Sequence, residues 1–151
     1  CKMHPPLRSA DDVEAMIEGL ADGTIDAICT DHAPHAIEEK EVEFIYAPNG
    51  IIGLETAWGV AVERLLKPGH LNLPQLIGKL TNAPREILGL RQPEIQEGER
   101  ANLTIFRTDD DWTYKEAMIR SKSGNSPYID KTFEGKPVAI YNKCKFVETD
   151  R

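Results

Sequence analysis

Three of the four histidines, His4, His32 and His35, fall within the first 35 residues, and a carboxylate, Asp31, stands among them. Aspartate and histidine are the oxygen and nitrogen donors a zinc-like divalent cation accepts, and both side chains also move protons in catalysis. The order Asp31-His32-x-x-His35 fits no helical metal motif, so the residues alone leave two readings open: a metal or catalytic site, or a hydrogen-bonded loop. Cysteine adds little. Cys1, Cys29 and Cys144 are an odd number with no close pair, which gives neither a CxxC motif nor a disulfide framework. That usage suits a reducing cytosol, with Cys29 as a small core residue inside an apolar stretch.

The elements that would position these residues follow from local pattern. His4-Pro5-Pro6-Leu7-Arg8 is a loop, because two prolines forbid helix and strand interiors. Ser9 and Asp12 fit a capping box, and Val13, Met16, Ile17 and Leu20 then recur at helical spacing until Gly23. Residues 25–30 are short and mostly apolar, which predicts a buried parallel strand running straight into Asp31. Helix, strand and a polar loop at the strand's C-terminal end is the layout of α/β enzymes. Residues 38–50 are charged and then irregular, closing on Pro48-Asn49-Gly50, which predicts a long functional or mobile loop. A helix is expected over about 54–66, with Leu54, Ala57, Trp58, Ala61 and Leu65 on one side, and shorter helices over 72–80 and 81–88.

After Pro93 the texture changes. Strands are expected near 101–106 and 137–147, the latter a hairpin around Asn142-Lys143, with loop punctuation at 109–111 and 124–127. The expected division is therefore α/β elements over 1–92 and β-rich material over 93–151. With 151 residues the chain is long enough for one core. A net charge of −7 argues against nucleic acid or an anionic membrane as the main partner, since both demand a basic face. No apolar run approaches the roughly 18–20 residues of a membrane span. The start, Cys1-Lys2-Met3, has neither an initiator Met nor a signal layout and reads as the middle of something longer.

Taken as a whole string, Thr30-Asp31-His32-Ala33-Pro34-His35, with His4-Pro5-Pro6-Leu7-Arg8 before it, resembles the dihydroorotase family of the amidohydrolase superfamily. Asn49-Gly50-Ile51-Ile52-Gly53-Leu54-Glu55, Leu80-Thr81-Asn82-Ala83-Pro84, Gly98-Glu99-Arg100-Ala101-Asn102-Leu103 and Ser121-Lys122-Ser123-Gly124-Asn125-Ser126-Pro127 continue the resemblance in the family's order. It implies the C-terminal part of a TIM (β/α)8 barrel over 1–92, followed over 93–151 by strands of a small β-sandwich domain. A complete barrel typically takes about 250 residues.

The resemblance also implies roles. Asp31 takes the place of the carboxylate at the end of the last barrel strand, a metal ligand and the proton shuttle between the attacking water and the leaving nitrogen. His35 takes the place of a substrate-binding histidine that meets the dihydroorotate carboxylate. His4 stands where many of the family have Asn, and either side chain can donate to substrate. Asn49 and Gly50 match a loop whose main chain contacts the pyrimidine ring, with glycine permitting close approach. His32 is expected to support its neighbours and His70 to lie in a solvated loop.

The implied cofactor is zinc, one or two ions, with the remaining ligands upstream of this segment, so that the segment alone would be inactive. The implied activity is reversible hydrolysis of dihydroorotate to N-carbamoyl-L-aspartate in cytoplasmic pyrimidine synthesis. The implied macromolecular partners are the N-terminal remainder of the barrel and either a second copy or aspartate transcarbamoylase. Two alternatives stay open: another cyclic amidohydrolase of allantoinase or hydantoinase type, and a non-catalytic scaffold that partners aspartate transcarbamoylase.

Overall fold

The computed structural model describes residues 1–149. Its first half is helical and loop-rich, and its second half is a three-stranded antiparallel sheet, so the chain is of mixed α and β content. Helix α1 (Ala10–Asp22) starts where the capping box predicts: Ser9 Oγ accepts the Asp12 N–H at 3.3 Å, and Asp12 Oδ2 accepts the Ser9 N–H at 3.1 Å. Gly23 closes it in the left-handed region. Of its expected apolar face, Ile17 and Leu20 pack on the core, whereas Val13 and Met16 are exposed.

The segment 25–30 departs most from expectation. It is extended but belongs to no ladder, because no strand among the described residues lies beside it. Its backbone is tied instead to the end of a later helix, the Ile28 N–H donating to the Lys79 carbonyl at 3.0 Å. Cys29 is exposed rather than part of a core, as are Cys1 and Cys144.

Within 38–50, expected to be irregular, the first residues extend one turn of helix, α2 (Ile37–Lys40). The helix expected from Leu54 begins three residues later as α3 (Ala57–Ala61) and widens into a π-helical turn over Val62–Leu66, leaving Leu54 exposed. Asn72 caps α4 (Leu73–Leu80) with a reciprocal bond to Gln75, and α5 (Asn82–Ile87) follows directly. Leu65, Leu71 and Leu76 form the small core between the π turn and α4.

In the sheet, β1 (Leu103–Thr113) pairs with β2 (Thr132–Asn142), which pairs with β3 (Lys145–Glu148). Strand β1 runs past the expected 101–106: Asp109 and Asp110 fall in a register break between Arg107 and Asp111, so the acidic run is an irregularity within a strand rather than its end. The β2–β3 turn is centred on Lys143 and Cys144, both at positive φ as a two-residue hairpin turn requires, one residue beyond the expected position. A single sheet is formed by the described residues.

The sheet docks on α3 through a close approach that only glycine allows. A Cβ on Gly59 would lie 2.8 Å from the Phe133 Cβ, and Phe133 is fully buried. Trp112 and Tyr128 pack on the same ring, each at 5.6 Å between centroids. No helix among the described residues is long and apolar enough to cross a membrane.

Candidate active site

The segment 25–30 delivers Asp31 at its end in the left-handed region, at φ 44°, a conformation Asp tolerates better than most side chains. Asp31 is exposed, and its carboxylate has no hydrogen-bond or ion-pair partner among the described residues. The next residue is fixed: His32 Nδ1 accepts the N–H groups of Gly53 and Leu54 at 3.1 and 3.3 Å, so this ring nitrogen carries no proton and serves the loop after Gly50. That matches the supporting role expected of His32.

His35 sits between two loops. Its Nε2 donates to the Asn49 carbonyl at 2.9 Å, and its Nδ1 lies 3.4 Å from Glu39 Oε2 on α2. Gly50, beside Asn49, is buried at φ 108°, and a Cβ there would lie 2.5 Å from the Ala33 Cβ. No other residue fits. Both main-chain groups of Gly50 are taken: its N–H donates to the Lys2 carbonyl at 2.8 Å, and its carbonyl accepts from Lys40 Nζ at 3.0 Å. Asn49 is thus the exposed member of the pair.

The structure therefore brings His35, Asn49 and Gly50 into direct contact, with Asp31 on the same loop as His35. His4 is exposed, two residues from Lys2, whose carbonyl holds Gly50. His70 is exposed on its own loop, as expected.

Two further residues organise this region. Glu55 Oε1 accepts the N–H groups of Arg120 and Ser121 at 3.0 and 2.7 Å, while its Oε2 accepts the buried Tyr114 hydroxyl at 2.8 Å. Burial first, then the hydrogen bond and charge of Glu55, push the Tyr114 phenol above its ordinary range. Asn125 Oδ1 accepts the His35 N–H at 3.1 Å, and its Nδ2 donates to the Ala33 carbonyl at 2.9 Å. Both residues lie inside strings that carry the family resemblance, but nothing in their spacing says what they touch.

Among the described residues, no group of three or more His, Cys, Asp and Glu is placed to hold a metal ion. Asp31 offers carboxylate oxygens, yet a closed zinc site takes four protein donors and an open catalytic one three. The donor set of the described residues by itself does not fit a metal centre.

No protein-family model matches the chain. The chain is 49% identical over 134 residues to the dihydroorotase of Elusimicrobium minutum, covering 89% of this chain and 31% of that protein. It is 48% identical over 150 residues to the dihydroorotase of Trichlorobacter lovleyi, covering 99% of this chain and 35% of that protein. The chain spans about a third of the length of the curated relatives it matches. Among solved structures it superposes on an L-hydantoinase (dihydropyrimidinase) from Arthrobacter aurescens with a TM-score of 0.87 at 30% identity, over 97% of this chain and 34% of that one. A D-hydantoinase (dihydropyrimidinase) from Thermus sp. gives 0.86 at 23% identity, over 99% of this chain and 34% of that one, a likeness of fold alone. Near-half identity along almost the entire chain, on a backbone shared with these cyclic amidohydrolases, makes this chain a member of the dihydroorotase family of the amidohydrolase superfamily.

Proposed function

We propose that the protein carrying this chain is a dihydroorotase, which opens the cyclic amide of dihydroorotate to N-carbamoyl-L-aspartate and closes it again in pyrimidine synthesis. The observation that carries this is the difference in identity: 48% over 150 residues to a dihydroorotase, against 30% to an L-hydantoinase on the same fold. On this reading residues 1–92 belong to a (β/α)8 barrel, with 25–30 its last strand, and residues 93–151 to a flanking β-domain. The strand neighbours that 25–30 lacks would come from the rest of the barrel.

In the proposed reaction a water attacks the ring amide carbon. The Asp31 carboxylate takes the water's proton and passes it to the ring nitrogen as the C–N bond breaks, and ring closure runs the same transfers backwards. An exposed carboxylate without a partner among the described residues is free to do this. Zinc, as one or two ions, is part of the proposal; Asp31 is this chain's candidate ligand, and the others must come from outside it.

His35, Asn49, Gly50 and His4 are proposed to bind substrate. With Nε2 of His35 donating to Asn49, Nδ1 is the nitrogen left, and in the imidazolium form its N–H would donate to the substrate carboxylate in place of Glu39. Gly50 keeps the turn that presents Asn49, and His4 supplies a donor from the neighbouring loop. The proposed macromolecular partners are a second copy of the protein or aspartate transcarbamoylase.

The alternative is a hydantoinase-type enzyme, for which the 30% identity to the L-hydantoinase speaks. Rates on dihydroorotate, hydantoin and allantoin, measured on the protein that carries this chain, separate the two. Dihydroorotate is expected to be turned over fastest; a higher kcat/KM on hydantoin or allantoin overturns the proposal.

A further inference from the structure

We infer that Asn125 is a positioning residue for substrate binding: its side-chain amide holds the His35 loop and the Asn49-Gly50 turn together from a segment 90 residues away in sequence. The inference deepens the functional reading above and rests on it for the substrate alone.

Asn125 uses both ends of its amide. Oδ1 accepts the His35 N–H at 3.1 Å, while Nδ2 donates to the Ala33 carbonyl at 2.9 Å and to the Gly50 carbonyl at 3.3 Å. Its own backbone carbonyl accepts the Ile52 N–H at 3.2 Å. The group needed at this point is one acceptor and two donors in a single plane, which among short side chains only asparagine supplies. Neither loop can settle elsewhere without consequence. The turn at Gly50 is pressed against Ala33, and the Asn49 carbonyl is the acceptor that orients the His35 ring. Moving Ala33 or Gly50 therefore moves the His35 imidazole.

The segment that bears Asn125 is itself anchored. Glu55 holds the N–H groups of Arg120 and Ser121, and Ser126 closes a tight turn by donating its N–H to the Gly124 carbonyl at 2.7 Å. Glu55 thus holds one end of 120–126, and Asn125 near its other end reaches both substrate-facing loops. Neither makes a bond to Asp31. Asn125 should accordingly govern how substrate is held and not the proton transfer.

The test is Asn125→Asp in the protein that carries this chain. This substitution keeps the size and the acceptor for the His35 N–H, but sets a carboxylate against the carbonyls of Ala33 and Gly50. With two hydrogen bonds lost, KM for dihydroorotate should rise about tenfold or more. The fall in kcat should stay below about threefold, because an interaction outside the chemical step was removed. A KM that does not rise overturns the proposal and leaves Asn125 a strut, whatever happens to the thermal midpoint. If the variant fails to fold, amide hydrogen exchange on the unaltered protein decides: slow exchange at His35, whose N–H the Asn125 side chain accepts, supports the clamp, and fast exchange there overturns it. Should the unaltered protein prefer hydantoin or allantoin, the dihydroorotate reading fails, while the same KM comparison on that substrate still decides the role of Asn125.

Discussion

A carboxylate that is exposed, held at positive φ and without a partner among the described residues gains nothing for the fold from its charge. Asp31→Asn therefore separates chemistry from stability. The amide keeps the size and tolerates the same backbone conformation, since Asn is the other residue enriched in the left-handed region. It cannot take a proton from an attacking water. Activity of the protein that carries this chain should fall by about 10²-fold or more, the low end for a positioned general base, in hydrolysis and in ring closure alike. The thermal midpoint should be unchanged. Assays run in each direction on the Asn variant check this; near-native turnover in either would show that Asp31 is not the shuttle. The type and position of Asp31 are legible from sequence, because a polar string placed at the end of an apolar run says where chemistry can sit. The engagement of both His35 nitrogens is not, because Asn49 and Glu39 reach them only through loop closure.

Between elements, Glu55 is the joint that fastens the sheet to the loops. Its Oε2 accepts the hydroxyl of Tyr114, a residue at the end of β1 that is only 1% exposed. Burial, reinforced by Glu55, keeps that phenol protonated beyond its ordinary value of 10.0. Below pH 10 the phenol is neutral in both folded and unfolded states, so it contributes its full stabilisation there. Above that value the unfolded chain releases the proton while the folded one retains it, so stability falls as pH rises. Tyr114→Phe should cost about 1 kcal/mol at neutral pH, the net worth of one hydrogen bond, and should lose this alkaline slope. Urea denaturation of both proteins at pH 8 and near pH 11 is the measurement, and a gap that does not narrow at the higher pH would refute it. Such a joint escapes sequence analysis for the reason the capping box does not. Ser9 and Asp12 are three residues apart and declare their bond in the spacing, whereas Glu55 and Tyr114 are 59 apart. The segment 25–30 shows the same limit from the other side. Its apolar run is legible as an extended element, but pairing depends on neighbours that a local pattern does not contain.

At the scale of the molecule, what is unsatisfied forms a pattern. Among the described residues the extended segment that ends in Asp31 has no strand beside it, and Val13 and Met16 of α1 are exposed though the periodicity marks them for burial. Phe44, Ile45 and Tyr46 stand out from the loop before Asn49, each more than two-thirds exposed. One candidate metal-binding carboxylate is present, with no group of three donors among the described residues. On the proposed reading, the apolar faces left open and the donor set left short are surfaces that the remainder of a barrel would cover and complete. The consequence is testable on the 151-residue polypeptide produced alone. It should neither hydrolyse dihydroorotate nor close N-carbamoyl-L-aspartate, even with zinc supplied in excess, because Asp31 cannot hold the ion without further ligands. It should also bind an apolar fluorescent dye more strongly than the complete protein does, through the open faces of α1 and 25–30. Both quantities can be read on the same preparations. Turnover by the isolated polypeptide at the rate of the complete protein would mean that the site is whole within this chain. Dye binding no greater than that of the complete protein would mean that α1 and 25–30 find their partners inside it.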